Sequence, residues 1–139
     1  MIRKKLGSYQ LGDYNVRVFT LPNYGGGNFY FAPPDMGTPM FEIGLHHGRW
    51  SDCLSVLLHE TFEAGMVMLQ CAHEPLGNVA NSTGNRYFQM QHEQFSELCG
   101  ITAPFLCQVQ PDLCRAYNAK KQRKKIALRK PKGKPKKRK

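Results

Sequence analysis

The chain lacks three things: a CxxC cysteine pair, a long apolar run and, over residues 120–139, any acidic residue. Each absence excludes something. The five cysteines, Cys53, Cys71, Cys99, Cys107 and Cys114, are an odd number without paired spacing. They signal neither a disulfide framework nor a zinc ribbon, and their apolar neighbours suggest buried free thiols in a reducing compartment. No segment approaches the roughly 18 apolar residues of a membrane span. The charged start Arg3-Lys4-Lys5 is not followed by the apolar core of a secretory signal. The expectation is a soluble cytoplasmic protein with no membrane partner.

What is present divides unevenly. Lys and Arg number 20 against 10 Asp and Glu, for a formal charge of +10. Thirteen of the basic residues fall in 120–139, so residues 1–119 are left with a net charge of −3. Fold and charge are therefore separate problems: a domain over 1–119, large enough to bury its own core, and a basic, largely disordered tail over 120–139.

The first fifty residues alternate in the manner of strands. Residues 14–21, 28–32 and 40–45 are rich in β-branched and aromatic side chains and are separated by Pro- and Gly-containing turns. Gly25-Gly26-Gly27 lacks the Lys-Ser/Thr of a phosphate loop and reads as a flexible turn. His46-His47 reads as an exposed loop pair. Beyond Trp50 the period lengthens. Ser51-Asp52 is a helix start, and Leu54, Leu58, Phe62, Gly65, Met66 and Leu69 form a helical stripe that should run to about Cys71. Residues 73–85 read as a loop; Asn81-Ser82-Thr83 within it fits a glycosylation pattern with no meaning in a cytosolic protein. A second helix should begin near Arg86 and carry Phe88, His92, Phe95 and Cys99. Pro104 would kink or end it, and Pro111 would open a further helical piece.

The chemistry is concentrated in Leu57-Leu58-His59-Glu60-Thr61-Phe62-Glu63-Ala64. On a helix His59 and Glu63, four apart, project from one face a turn apart, and Glu60 lies about 100° round from His59. A metal hydrolase needs this arrangement: ligands at i and i+4, and a carboxylate at i+1 to accept a proton from the attacking water. Charge buried without a partner is costly, and a cation between His59 and Glu63 would remove that cost. A third ligand has to come from elsewhere. His92 on the next helix completes two nitrogens and one carboxylate, with Glu93 and Glu97 as rivals. Such a set suits zinc, while iron or manganese is compatible with the same donors.

This helix resembles that of the zincin metallopeptidases, with Glu63 where the commoner pattern has a second His. More closely it is similar to small phage- and prophage-encoded zincin-like proteins, which read His-Glu-x-x-Glu-Ala on one helix and carry a His on the next. The resemblance covers roughly residues 40–117. It implies an α+β zincin-like fold, with a small antiparallel or mixed sheet followed by two or three packed helices and strand 40–45 as the edge of a substrate cleft. It also implies a zinc-dependent hydrolase, most plausibly a metallopeptidase acting on a peptide or protein in the cytoplasm (the host's, if phage-encoded). His59, Glu63 and His92 would hold the metal and Glu60 would be the catalytic base. The alternatives are a non-enzymatic nucleic-acid-associated protein with a structural metal, or a small inhibitor of a host system.

Residues 120–130 can extend the last helix, whereas 131–139 are all charge, Pro and Gly. Such a run contacts phosphates rather than bases and has no aromatic residue to stack on them. The expectation is non-specific nucleic-acid binding through residues 120–139. The run also fits a nuclear-import signal.

Overall fold

The structure is a computed structural model that describes residues 2–31, 38–73, 87–88 and 90–129. The chain break expected at 33–37, the loop at 74–85 with its Asn81-Ser82-Thr83, and residues 130–139 lie outside these.

The fold is α+β: a four-stranded mixed sheet followed by two helices. Strands β1 (Lys4–Leu11) and β2 (Tyr14–Leu21) form an antiparallel hairpin in which Leu11 faces Tyr14 across a two-residue loop. Gly12 takes φ +56° in that loop, the backbone that two-residue hairpins require and glycine adopts without strain. β3 (Gly27–Tyr30) runs antiparallel to β4 (Met40–Gly44), and β4 lies parallel to β2. The order is thus β1-β2-β4-β3. Strand 40–45, expected at the edge, is internal and paired on both sides. The edge is β3.

Both helices pack on one face of the sheet. Helix α1 (Trp50–Met68) starts from an extended Arg49, with Asp52 in its first turn paired to Arg49. Its buried stripe is Cys53, Leu57, Glu60, Thr61, Ala64 and Gly65. This differs from the expected stripe by about one residue's rotation: Leu54, Leu58, Phe62 and Met66 are only half-buried. At Gly65 the absence of a side chain lets α1 approach α2 closely, since a Cβ there would lie 2.4 Å from Leu98 Cδ1. The Thr61 hydroxyl is satisfied within the helix by donating to the Leu57 carbonyl at 2.7 Å.

The second sheet is a two-residue pairing of β5 (Ala72–His73) with β6 (Tyr87–Phe88). The second helix therefore begins not near Arg86 but at His92, and Phe88 belongs to a strand. Helix α2 (His92–Arg129) then runs unbroken for 38 residues with Pro104 and Pro111 inside it. The prolines neither end nor divide it. Leu98, Thr102, Phe105, Val109, Leu113 and Tyr117 form one continuous buried stripe, and both prolines sit on the opposite, exposed side. The carbonyls they leave without an N–H donor, on Gly100 and Cys107, belong to exposed residues where water can take them.

The helix also crosses position 119–120 without interruption, and Lys120 is tied to the body. Its ammonium donates to the carbonyls of Pro22 and Leu45. Further up α2, the Tyr9 hydroxyl donates to Asp112 Oδ2 at 2.7 Å, and Arg115 pairs with the same carboxylate. Among the cysteines Cys53 and Cys71 are buried, but Cys107 is exposed on α2, so the expectation of uniformly buried thiols fails there: apolar neighbours in sequence are not neighbours on a helix face. Among the described residues no helix is long and apolar enough to cross a membrane.

α1 ends in a Schellman arrangement. Cys71 N–H donates to Met66 O at 2.8 Å and Gln70 N–H to Val67 O at 3.1 Å, with Gln70 in the left-handed region at φ +56°. A side chain there costs about 1 kcal/mol that glycine avoids. Gln70→Gly should therefore raise stability by roughly 0.5–1 kcal/mol, measured as a rise in the urea midpoint at unchanged slope; a lower midpoint would contradict the strained cap.

Candidate active site

α1 lies against β3, and the two enclose a groove of about 590 Å³ lined by Gly27 to Phe31 on the strand side and by His59, Glu60, Glu63 and Val67 on the helix. Three of the four expected site residues thus share one wall. His59 stands at the rim with its side chain 71% exposed, and Glu63 is lower at 24%. The His59 Nε2 and Glu63 Oε2 atoms are 3.4 Å apart, as an i, i+4 pair should be.

Glu60 lies deeper, at 7% exposure, on the buried stripe itself. Burial pushes its carboxyl above the ordinary glutamate value; nearby His59 draws it down and Glu63 raises it further. The strand makes room for it. A Cβ at Gly27 would lie 2.6 Å from Glu60 Cγ, 2.8 Å from Glu60 Oε1 and 2.7 Å from Val56 Cγ1. Only glycine lets the edge strand pass this close to the carboxylate.

The separation of the pair at the rim equals that of two donors on one zinc ion. Ligand atoms held about 2.0–2.1 Å from zinc at a tetrahedral angle stand roughly 3.3–3.4 Å from each other, which is the separation found. Without metal the same geometry is a partly exposed ion pair of small net worth. His92 is the exception. It is the exposed first residue of α2 and does not line the groove. Among the described residues no three of His, Cys, Asp and Glu form a group able to hold a metal ion. Glu93 and Glu97, the rival ligands, are also exposed on the first turns of α2.

Two groove residues had no part in the motif. Gly27 was read only as part of a flexible turn. Tyr30, 38% exposed, lines the groove with its phenol pushed above the ordinary value, by burial first and then by Glu42 and other neighbouring groups, including Glu60. It remains protonated at neutral pH and can donate a hydrogen bond there. The alternation of Asn28-Phe29-Tyr30-Phe31 was legible, but which side faced the helix was not.

Compared with known proteins, the chain matches no family model, no curated protein and no solved structure.

Two outcomes follow. His59→Ala and Glu63→Ala should each remove most of the zinc retained after dialysis of zinc-loaded protein, read by elemental analysis. His92→Ala should do the same if the third donor comes from α2. Full retention in His59→Ala and Glu63→Ala contradicts the site. In metal-free protein, Glu60→Gln should stabilise the fold at neutral pH. Because the folded-state pKa is raised, the native state binds more protons than the unfolded one just above the ordinary glutamate value, and wild-type stability falls as pH rises through that window. The variant's advantage should vanish on acidification below the ordinary glutamate pKa; a pH-independent difference in chemical denaturation would point to packing instead.

Proposed function

We propose that the protein is a zinc-dependent hydrolase acting on a peptide bond. The observation that carries this reading is the juxtaposition in one groove of a His59–Glu63 pair at metal-ligand spacing with the buried carboxylate of Glu60, beside a strand at the edge of the described sheet. His59 and Glu63 would hold the ion, with His92 as the third donor that the resemblance to zincin-like proteins implies. Bound zinc would supply a Lewis acid that polarises a carbonyl and makes water easier to deprotonate.

The chain's own groups do the rest. Glu60 accepts the proton of the attacking water and returns it to the departing amine. Burial raises its proton affinity, in the direction that suits a group that must both accept and return a proton. Among the described residues β3 pairs with β4 alone, so its other edge can align an extended peptide by backbone hydrogen bonds. Tyr30, at the same wall, can donate to an oxygen that gains negative charge during attack.

The basic C-terminal stretch fits a second partner, nucleic acid, engaged through phosphates. A non-enzymatic, nucleic-acid-associated role is the alternative reading. One observation favours it: among the described residues no three of His, Cys, Asp and Glu form a group able to hold a metal ion.

The deciding experiment compares wild type and Glu60→Gln at equal zinc occupancy on a quenched fluorescent peptide library. Gln is nearly isosteric but cannot accept the proton, so turnover should fall by a factor of ~100 or more. Equal turnover removes Glu60 as the base. No turnover by the wild type would favour the non-enzymatic alternative.

A further inference from the structure

A second groove, sharing no lining residue with the first, has a different character. It measures about 920 Å³ and is lined on one side by the turn after β2 and the loop after β4, and on the other by the last described turns of α2. Five of its lining residues are cationic, Lys4, Lys120, Lys121, Arg123 and Lys124, and none is acidic.

The accumulation is built rather than accidental. Lys120 is held by the Pro22 and Leu45 carbonyls, which pins the basic part of α2 against the body. Its ammonium is pulled below the ordinary lysine value by burial, then by Lys124. Lys121 is fixed 5.1 Å over the Tyr117 ring. Across the groove are His46 and His47, and the His47 Nε2 is buried without a hydrogen-bond partner among the described residues. A helix carrying like charges into a groove already holding Lys4 is under repulsion that a polyanion would relieve.

We infer that this groove binds the phosphodiester backbone of nucleic acid, so that the folded body, and not the C-terminal run alone, forms the phosphate-binding surface. The inference deepens the nucleic-acid reading of the C-terminal stretch and rests on it. Charge complementarity selects the occupant. The ten residues 120–129 extend about 15 Å as helix, long enough to follow several phosphates rather than one. The aromatic side chain that could stack a base, Tyr117, is only 2% exposed, so contacts should be to backbone and indifferent to sequence.

The test uses the full chain, a labelled mixed-sequence single-stranded DNA 20-mer and fluorescence anisotropy between 50 and 200 mM salt. The variant is Lys4→Ala with Lys124→Ala, both lining the groove. The control is Lys5→Ala with Lys125→Ala, neighbours on the same elements that do not line it, with the same loss of charge. The groove pair should weaken binding about tenfold or more and flatten the log–log salt slope by roughly 1.4, two phosphate contacts at about 0.7 each for a single strand. The control pair should cost threefold or less.

Equal losses in the two pairs would overturn the groove. So would competition by polyglutamate as strong as by the oligonucleotide, which would assign the groove to acidic protein. A chain ending at Arg129 separates this inference from the reading beneath it. If that truncation abolishes binding while the groove pair is silent, the C-terminal reading stands and the groove falls; if neither change matters, both fall.

Discussion

A carboxylate lies on the stripe of α1 that must face the sheet, and much of the arrangement follows from accommodating it. Helix α1 buries Cys53, Leu57, Glu60, Thr61, Ala64 and Gly65, a face interrupted by one carboxylate. A carboxylate in such a position costs free energy unless it is neutralised or given polar surroundings. Here the edge strand supplies a glycine opposite it, and the strand is only four residues long. The result is a groove with a carboxylate in its floor and a His–Glu pair on its rim. Burial there raises the proton affinity of Glu60, as the proposed hydrolysis would require of a base that also acts as an acid.

Helix α2 sets the frame around this groove. Its apolar stripe passes both prolines and closes the core through Phe105, which packs on Phe41 at a centroid distance of 5.3 Å and edge-on to Tyr9. The aromatic chain continues from Phe41 to Phe29 of β3, so the wall of the candidate active site is braced by the same core that α2 completes. Beyond Tyr117 the helix exchanges apolar contacts for charged ones, with Lys120 as the hinge between the two regimes. One continuous element thus supports the proposed hydrolytic groove at one part of its length and the basic groove at another.

Much of this was legible in the sequence, and the failures have physical causes. The His59-Glu60-Thr61-Phe62-Glu63 pattern placed its residues correctly relative to one another because helical spacing alone fixes them. The mixed sheet followed by helices was likewise readable from the change of period near Trp50. β1 escaped notice because its Lys, Gly and Ser residues dilute the alternation, although Gly12-Asp13 is a hairpin signal that could have revealed it. The edge strand was misplaced because strand order depends on pairings that no local pattern encodes. The prolines misled because their cost depends on which side of α2 they face. The stripe on α1 was misread because hydrophobicity alone did not select the inward face: Thr61, Ala64 and Gly65 are buried where Leu58, Phe62 and Met66 are only half-buried. His92 does not line the groove with His59 and Glu63; how two helices pack against each other is something local spacing does not determine.

The central claim is that His59 and Glu63 are metal ligands and not merely an ion pair. Zinc-edge X-ray absorption on protein loaded with one equivalent of zinc tests it most directly. The account predicts a shell of nitrogen and oxygen scatterers at about 2.0–2.1 Å with the multiple-scattering signature of imidazole, and no sulfur. A sulfur shell near ~2.3 Å would place the metal on the cysteines and contradict it.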